Sequence, residues 1–179
     1  MKIGIAGVGG IGSNVARHLA QAKVSMVKIV DFDCVETANL NRQFYRTDQV
    51  GCKKTVSLEA NLHAIYPDMV IERVDKKITP ENAVSIFQDC PIVVEGFDHP
   101  HLKKMLIEKL AGADKKIVSA SGIAGRDLDT VTIKKFGNCH IAGDFSSDQD
   151  RHPLFPPKVA LVAAVMAGIV LDQMEKLKK

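Results

Sequence analysis

Tryptophan is missing from these 179 residues and the aromatic share is only 5%, so any core must be built from aliphatic side chains. The four cysteines, Cys34, Cys52, Cys90 and Cys139, are widely spaced and form no Cys-x-x-Cys pair. That spacing supports neither a disulfide framework nor a zinc site. His63, His99, His101, His140 and His152 add no zinc-ligand spacing either. Charge of one sign is also scarce: 24 basic against 21 acidic residues leave a formal charge of +3. So small and scattered an excess points to no nucleic acid and no membrane surface as partner. The apolar run from Val159 to Leu171, bounded by Lys158 and Asp172, falls short of the ~20 residues of a membrane span and reads as a buried helix. The chain opens on Lys2-Ile3-Gly4-Ile5-Ala6, which reads as strand rather than as a charged leader with a cleavage site. A cytoplasmic location is the expectation.

The hydrophobic share is 46% and the charged share 25%, an ordinary globular balance. A chain of this length suits one domain, residues 1–179, that buries roughly 70% of its unfolded surface. Short apolar runs alternate with amphipathic segments: Ile3 to Val8, Ile11 to Ala22, then Met26 to Val30. This is a β-α-β rhythm, and it predicts a Rossmann-like, doubly wound α/β fold with a mostly parallel sheet. Leu58, Leu62 and Ile65 recur at helical spacing before Pro67, and Met69 to Val74 reads as strand. Thr79-Pro80-Glu81 predicts a helix with Thr79 as cap, running through Phe87 into the strand Ile92-Val93-Val94. A helix from His99 and Pro100 to Leu110 and a strand from Lys115 to Ala120 follow. The alternating run Thr130 to Phe136, behind a turn at Asp127-Leu128-Asp129, predicts an antiparallel extension near the C-terminus. Gly143 to Pro157 reads as a long mobile surface loop. The helix from Val159 to Leu177 is apolar on more than one face, which predicts a place deep in the core or at a homodimer interface.

Gly7-Val8-Gly9-Gly10-Ile11-Gly12 lies directly between a strand and a helix, where exposed helix N–H groups and the positive dipole end attract phosphate. Asp31 and Asp33 close the second strand about 20 residues on, where an acid accepts ribose hydroxyls. These features predict nucleotide binding without choosing the nucleotide, since NAD-dependent dehydrogenases share them. Arg42, Lys54 and Asp98 read singly as a solvated loop residue, a surface charge and a helix cap.

The stretch from Asp31 through Val35 and Asn39-Leu40-Asn41-Arg42-Gln43 to Val50-Gly51-Cys52-Lys53-Lys54 resembles the signature of the ubiquitin-activating superfamily. The likeness is to its sulfur-carrier branch of ThiF, MoeB and HesA relatives, whose pattern runs D-x-D-x-V-x-x-S-N-L-x-R-Q and then V-G-x-x-K. It extends from Met1 to Asp98 and resumes weakly in the last helix. The resemblance implies ATP and Mg2+ as cofactors and adenylylation of the C-terminal carboxylate of a small ubiquitin-like sulfur carrier ending in Gly-Gly. Thiamine thiazole synthesis is the pathway it suggests. By the same resemblance Gly7, Gly9, Gly10 and Gly12 lie at the phosphates, and Asp31, with Asp33, at the ribose. The segment Asn39, Leu40, Asn41, Arg42 and Gln43 wraps the nucleotide, Arg42 and Lys54 face the triphosphate, and Asp98, followed by His99, organises magnesium. Arg42, Lys54 and Asp98 are the catalytic residues the resemblance implies, and in those places they would supply the fixed cations and the metal-holding carboxylate that attack on an α-phosphate requires. Ala38 stands where the family keeps Ser, and His99 where it keeps Asn. The family's zinc-binding cysteine pairs and the cysteine of its crossover loop have no counterpart, so neither zinc nor a catalytic cysteine is expected. An arginine finger sent from a preceding helix into a partner subunit is not expected either. Two alternatives stay open, a catalytically degenerate nucleotide- or carrier-binding module and an NAD(P)-dependent oxidoreductase.

Overall fold

A computed structural model describes residues 1–148 and 150–178. Seven strands form one sheet in the order β3-β2-β1-β4-β5-β7-β6. The strands are β1 (Ile3–Ala6), β2 (Met26–Val30), β3 (Val70–Val74), β4 (Ile92–Glu95), β5 (Lys116–Ala120), β6 (Thr132–Phe136) and β7 (Cys139–Gly143). All pairings are parallel except β6 with β7. The expected Rossmann-like architecture and its antiparallel extension are both present. The central strands β1, β2, β4 and β5 are short and mostly apolar because both their faces are covered, whereas the edge strands β3 and β6 carry charged residues and are more exposed. Ile3, Ile5, Val27, Ile29, Ile92 and Val94 face one core. The alternate residues Ala6, Val30 and Val93 face the other.

Helices α1 (Gly10–Gln21), α2 (Lys54–His63) and α5 (Pro156–Lys176) cover the first face, through Leu19, Leu58, Leu62, Met166 and Val170. Helices α3 (Ala83–Ile86) and α4 (Pro100–Ala111) cover the second through Ala83, Leu106 and Leu110. α5 has 21 residues and is long and apolar enough to cross a membrane by length and composition. Its Val159, Val162, Ala163, Met166, Ala167 and Val170 are buried in the core beside α1.

Three local expectations need correction. β7 was not anticipated, and it, not an earlier strand, is the antiparallel partner of β6. The turn at Gly137, with φ +57°, joins the two. The helix expected from Thr79 begins only at Ala83, with Asn82 as its cap. The Asn82 side chain accepts the Thr79 amide at 2.8 Å, which spends residues 79–82 on a turn. The segment from Gly143 to Pro157, whose Gln149 lies outside the described residues, is tied down at several points rather than crossing the surface loosely. Ala124 bridges Leu154, Ala124 N–H donates to Ser147 Oγ at 3.1 Å, and Lys158 Nζ pairs with Asp144 at 2.5 Å. That ion pair is almost wholly buried, its side chains 1% and 4% exposed.

β1 and β4 are neighbours in the sheet, and their connections leave toward opposite faces. Open α/β sheets bind ligands at such a switch point, beyond the C-terminal strand ends.

Candidate functional site

A cleft of about 510 Å3 opens at that switch point, within the range of small-molecule sites. Its floor is the glycine turn. Gly7 has φ +80°, and its amide donates to Val30 O at 2.9 Å, which bends the chain out of β1 across the end of β2. A Cβ on Gly12 would overlap the Gly7 carbonyl, so the helix can rest on the strand only with glycine there. Gly9 caps α1 with no side-chain bond to the first-turn amides, and no acidic residue occupies that turn. The helix N-terminus therefore presents donors and a positive dipole end to the cleft.

The segment after β2 is laid on this turn by polar side chains. Asn14 Nδ2 donates to Gly10 O at 2.7 Å and to Arg42 O at 2.8 Å. Ser13 Oγ donates to Gly9 O at 2.6 Å and accepts the Phe44 amide at 3.0 Å. Tyr45 donates its phenol to Val8 O at 2.8 Å. Burial first, then the carboxylates of Asp31 and Asp33, push that phenol well above its ordinary pKa, which keeps it a donor. Arg42 is thereby held beside Gly10, and its Nη1 donates to Ala38 O at 3.0 Å and Asn41 Oδ1 at 2.8 Å.

Of the residues singled out in the sequence, Gly7, Gly9, Gly10, Asp31, Asp33, Arg42, Gln43, Lys54, Asp98 and His99 line this one cleft. Lys54, almost buried at the start of α2, places its ammonium 3.0 Å from Asp33 Oδ2. Asp31 Oδ2 accepts the Val8 amide at 2.8 Å and Oδ1 the Asp33 amide at 2.9 Å, so this acid also fixes the glycine turn. Asp98 is three-quarters exposed at the cleft lip, 3.8 Å from His99 Nε2. The other residues stand elsewhere. Gly12 lies behind the turn. Asn39 Oδ1 accepts the Glu36 amide at 3.1 Å within a 3-10 turn. Leu40 and Asn41 line a smaller adjoining hollow that shares Arg42 and Gln43 with the cleft.

The cleft also holds residues the sequence reading passed over. Lys76 and Lys77 follow β3, Phe32 and Phe97 form apolar walls, and Ile123, Leu154 and Val159 close the side nearest α5. The Lys77 ammonium lies 5.9 Å from the centre of the Phe32 ring. Among the described residues no group of three or more His, Cys, Asp or Glu side chains could hold a metal ion. Cys90 and Cys139 are buried, and burial above all raises their thiols, to about 12 and about 11. Cys34 and Cys52 are exposed, and neither lines the cleft.

Comparisons with known proteins agree with this architecture. "Adenylyltransferase and sulfurtransferase UBA4" from Candida glabrata is 34% identical over 141 residues, covering 78% of this chain and 33% of that protein. "Ubiquitin-like modifier-activating enzyme 5" from Arabidopsis thaliana is 39% identical over 86 residues, 48% of this chain and 20% of that protein. The chain thus spans about a third or less of the length of these curated relatives. Among solved structures, E. coli tRNA N6-threonylcarbamoyladenosine dehydratase in complex with ATP superposes with a TM-score of 0.90 at 20% identity, covering 99% of this chain and 86% of that one. HcgE from Methanothermobacter marburgensis, bound to guanylylpyridinol and ATP, superposes at 0.82 with 16% identity over 98% and 96% of the two chains. At those identities the likeness is one of fold. The ThiF family profile matches residues 1–177, and the chain belongs to the ThiF family.

Proposed function

We propose that this chain is an adenylyltransferase. ATP and the C-terminal carboxylate of a small ubiquitin-like sulfur carrier ending in Gly-Gly react to give a carrier acyl-adenylate and pyrophosphate. The observation that carries the reading is the meeting of the glycine turn, Arg42, Lys54 and Asp98 in one cleft. Attack of a carboxylate oxygen on the α-phosphorus breaks the bond to pyrophosphate and gathers negative charge, so fixed cations beside the phosphates lower the barrier. The α1 amides cradle phosphate oxygens, while Arg42 and Lys54 neutralise the departing pyrophosphate. Asp33, paired with Lys54, holds that ammonium in place, and with Asp31 it offers acceptors for ribose hydroxyls.

Magnesium suits this donor set if it arrives on the nucleotide. Asp98 offers one carboxylate, and magnesium is commonly held by one or two carboxylates plus substrate phosphates rather than by a protein cage. Bound there, it would neutralise phosphate charge. The Ile123, Leu154 and Val159 wall, tied from behind by Lys158 to Asp144 and to Ala124 O, offers the reacting carboxylate an apolar approach.

The names of the curated relatives and the ATP complexes of the structural neighbours support the nucleotide and the reaction class. Thiamine thiazole synthesis is the pathway we favour for the carrier, and a homodimer in the cytoplasm is the setting we propose. The test is exchange of labelled pyrophosphate into ATP with a panel of ubiquitin-sized proteins ending in Gly-Gly. Exchange that requires one of them and vanishes in Asp98→Ala supports the enzyme. ATP binding without exchange for any carrier would leave a binding module instead. Nicotinamide fluorescence titration is expected to show no NAD(P)H binding.

A further inference from the structure

Glu95 ends β4, and its side chain is fully buried. A carboxylate taken from water costs several kcal/mol unless charges and donors surround it, and here they do. Oε1 accepts the Phe97 amide at 2.7 Å, while Oε2 accepts Ser119 Oγ at 2.6 Å and pairs with Lys103 Nζ. One side chain thus joins the turn leaving β4, the helix α4 and the strand β5.

The turn it holds is part of the cleft. The Gly96 amide donates to Ala6 O at 2.8 Å, and a Cβ on Gly96 would stand 2.8 Å from Gly7 O, so this turn presses directly on the glycine loop. Gly96, Phe97, Asp98 and His99 all line the cleft before α4 begins at Pro100. If filling space between β4, β5 and α4 were the whole task, an apolar pair would serve, because replacing a buried ion pair with hydrophobic residues is often neutral or stabilising. An apolar side chain could not accept the Phe97 N–H.

We infer that Glu95 is a positioning residue: its carboxylate locks the turn from Gly96 to His99 so that Asp98 meets the magnesium carried by ATP. The inference rests on the nucleotide reading above. Groups that orient a metal-holding carboxylate from behind commonly change metal affinity by about 10–100-fold.

The experiment compares two double variants by calorimetric titration with ATP plus magnesium chloride and with ATP plus EDTA, thermal unfolding serving as control. Glu95→Gln with Lys103→Met keeps an oxygen for the Phe97 amide. Glu95→Met with Lys103→Met keeps the shape and removes that oxygen. The methionine pair is expected to bind magnesium-ATP about tenfold more weakly than wild type while binding metal-free ATP unchanged. The glutamine variant should stay close to wild type in both titrations. Equal magnesium-ATP affinities in the two double variants would overturn the inference, as would a matching loss for metal-free ATP, which marks a general collapse of the cleft. Should the methionine pair not fold, Glu95→Asp takes its place: the charge stays, but the shorter side chain draws back from the turn, and the same selective loss is required. A wild type that binds no ATP under either condition sinks the nucleotide reading itself, a result separate from failure of the variants alone.

Discussion

The ammonium of Lys54 stands 3.0 Å from the carboxylate of Asp33, and the two residues are also joined through the backbone, Lys54 N–H to Asp33 O at 3.0 Å. This double tie carries the start of α2 to the end of β2. A cation at a helix N-terminus is opposed by the dipole, so Asp33 offsets that repulsion and an anionic ligand in the cleft would offset it further.

Removing either cation should therefore act on the reaction more than on folding. Arg42→Ala and Lys54→Met are each expected to lower kcat for pyrophosphate exchange by about 10²–10³-fold, with unfolding midpoints in urea near wild type for Arg42→Ala. Exchange rates within a few-fold of wild type would remove these residues from the chemistry.

The buried pair of Lys158 and Asp144 supports the wall beside α5. Lys158→Met leaves the carboxylate buried without its cation and should cost about 3–5 kcal/mol in urea unfolding. Adding Asp144→Leu removes the stranded charge and should recover part of that loss, although the Ser146 and Ser147 amides, bonded to Asp144 Oδ1 at 2.8 and 2.7 Å, then lose their acceptor.

The same carboxylate sets an acid limit on stability. Burial by itself would raise the Asp144 pKa, but Lys158 and the Ser147 and Ser146 amides outweigh it and hold the group well below its ordinary value of 3.8. A depressed folded pKa means the contribution is complete above the unfolded value and is lost as pH falls below it toward the folded one. Unfolding free energy should fall as pH drops from about 4. In Asp144→Asn that part of the slope should be flattened, which urea titrations at a series of acid pH values would measure.

Much of this was legible in the sequence because it is local. The glycine turn announces itself between a short apolar run and an amphipathic helix, and the polar segment from Asp31 to Lys54 keeps its order. Lys76 and Lys77 escaped because nothing near them in the chain marks a site; only the pairing of β3 with β2 carries them to the cleft. β7 escaped because Cys139-His140-Ile141-Ala142-Gly143 is short and lies between two glycines of positive φ, Gly137 at +57° and its own last residue Gly143 at +146°. Lys158 looked like the polar edge of an apolar helix, since the partner that buries it lies 14 residues earlier in what read as an open loop. Glu95 gave no signal at all, because its three partners, Phe97, Lys103 and Ser119, converge only in the folded chain.

Gly12→Ala offers a purely steric check. Its Cβ has no room beside the Gly7 carbonyl, so α1 must move away from β1. A loss of about 1–3 kcal/mol in unfolding free energy, together with weaker ATP binding, is expected by denaturation and titration.

The central claim is that one triphosphate is gripped by the α1 amides, Arg42 and Lys54, with Asp98 at its magnesium. A crystal structure of the chain grown with magnesium and a non-hydrolysable ATP analogue tests it most directly. The account predicts phosphate oxygens within hydrogen-bond distance of the Gly10 amide, the Arg42 guanidinium and the Lys54 ammonium, and the metal on the Asp98 side. A nucleotide seated with its phosphates away from these groups, or in another cavity, would contradict it.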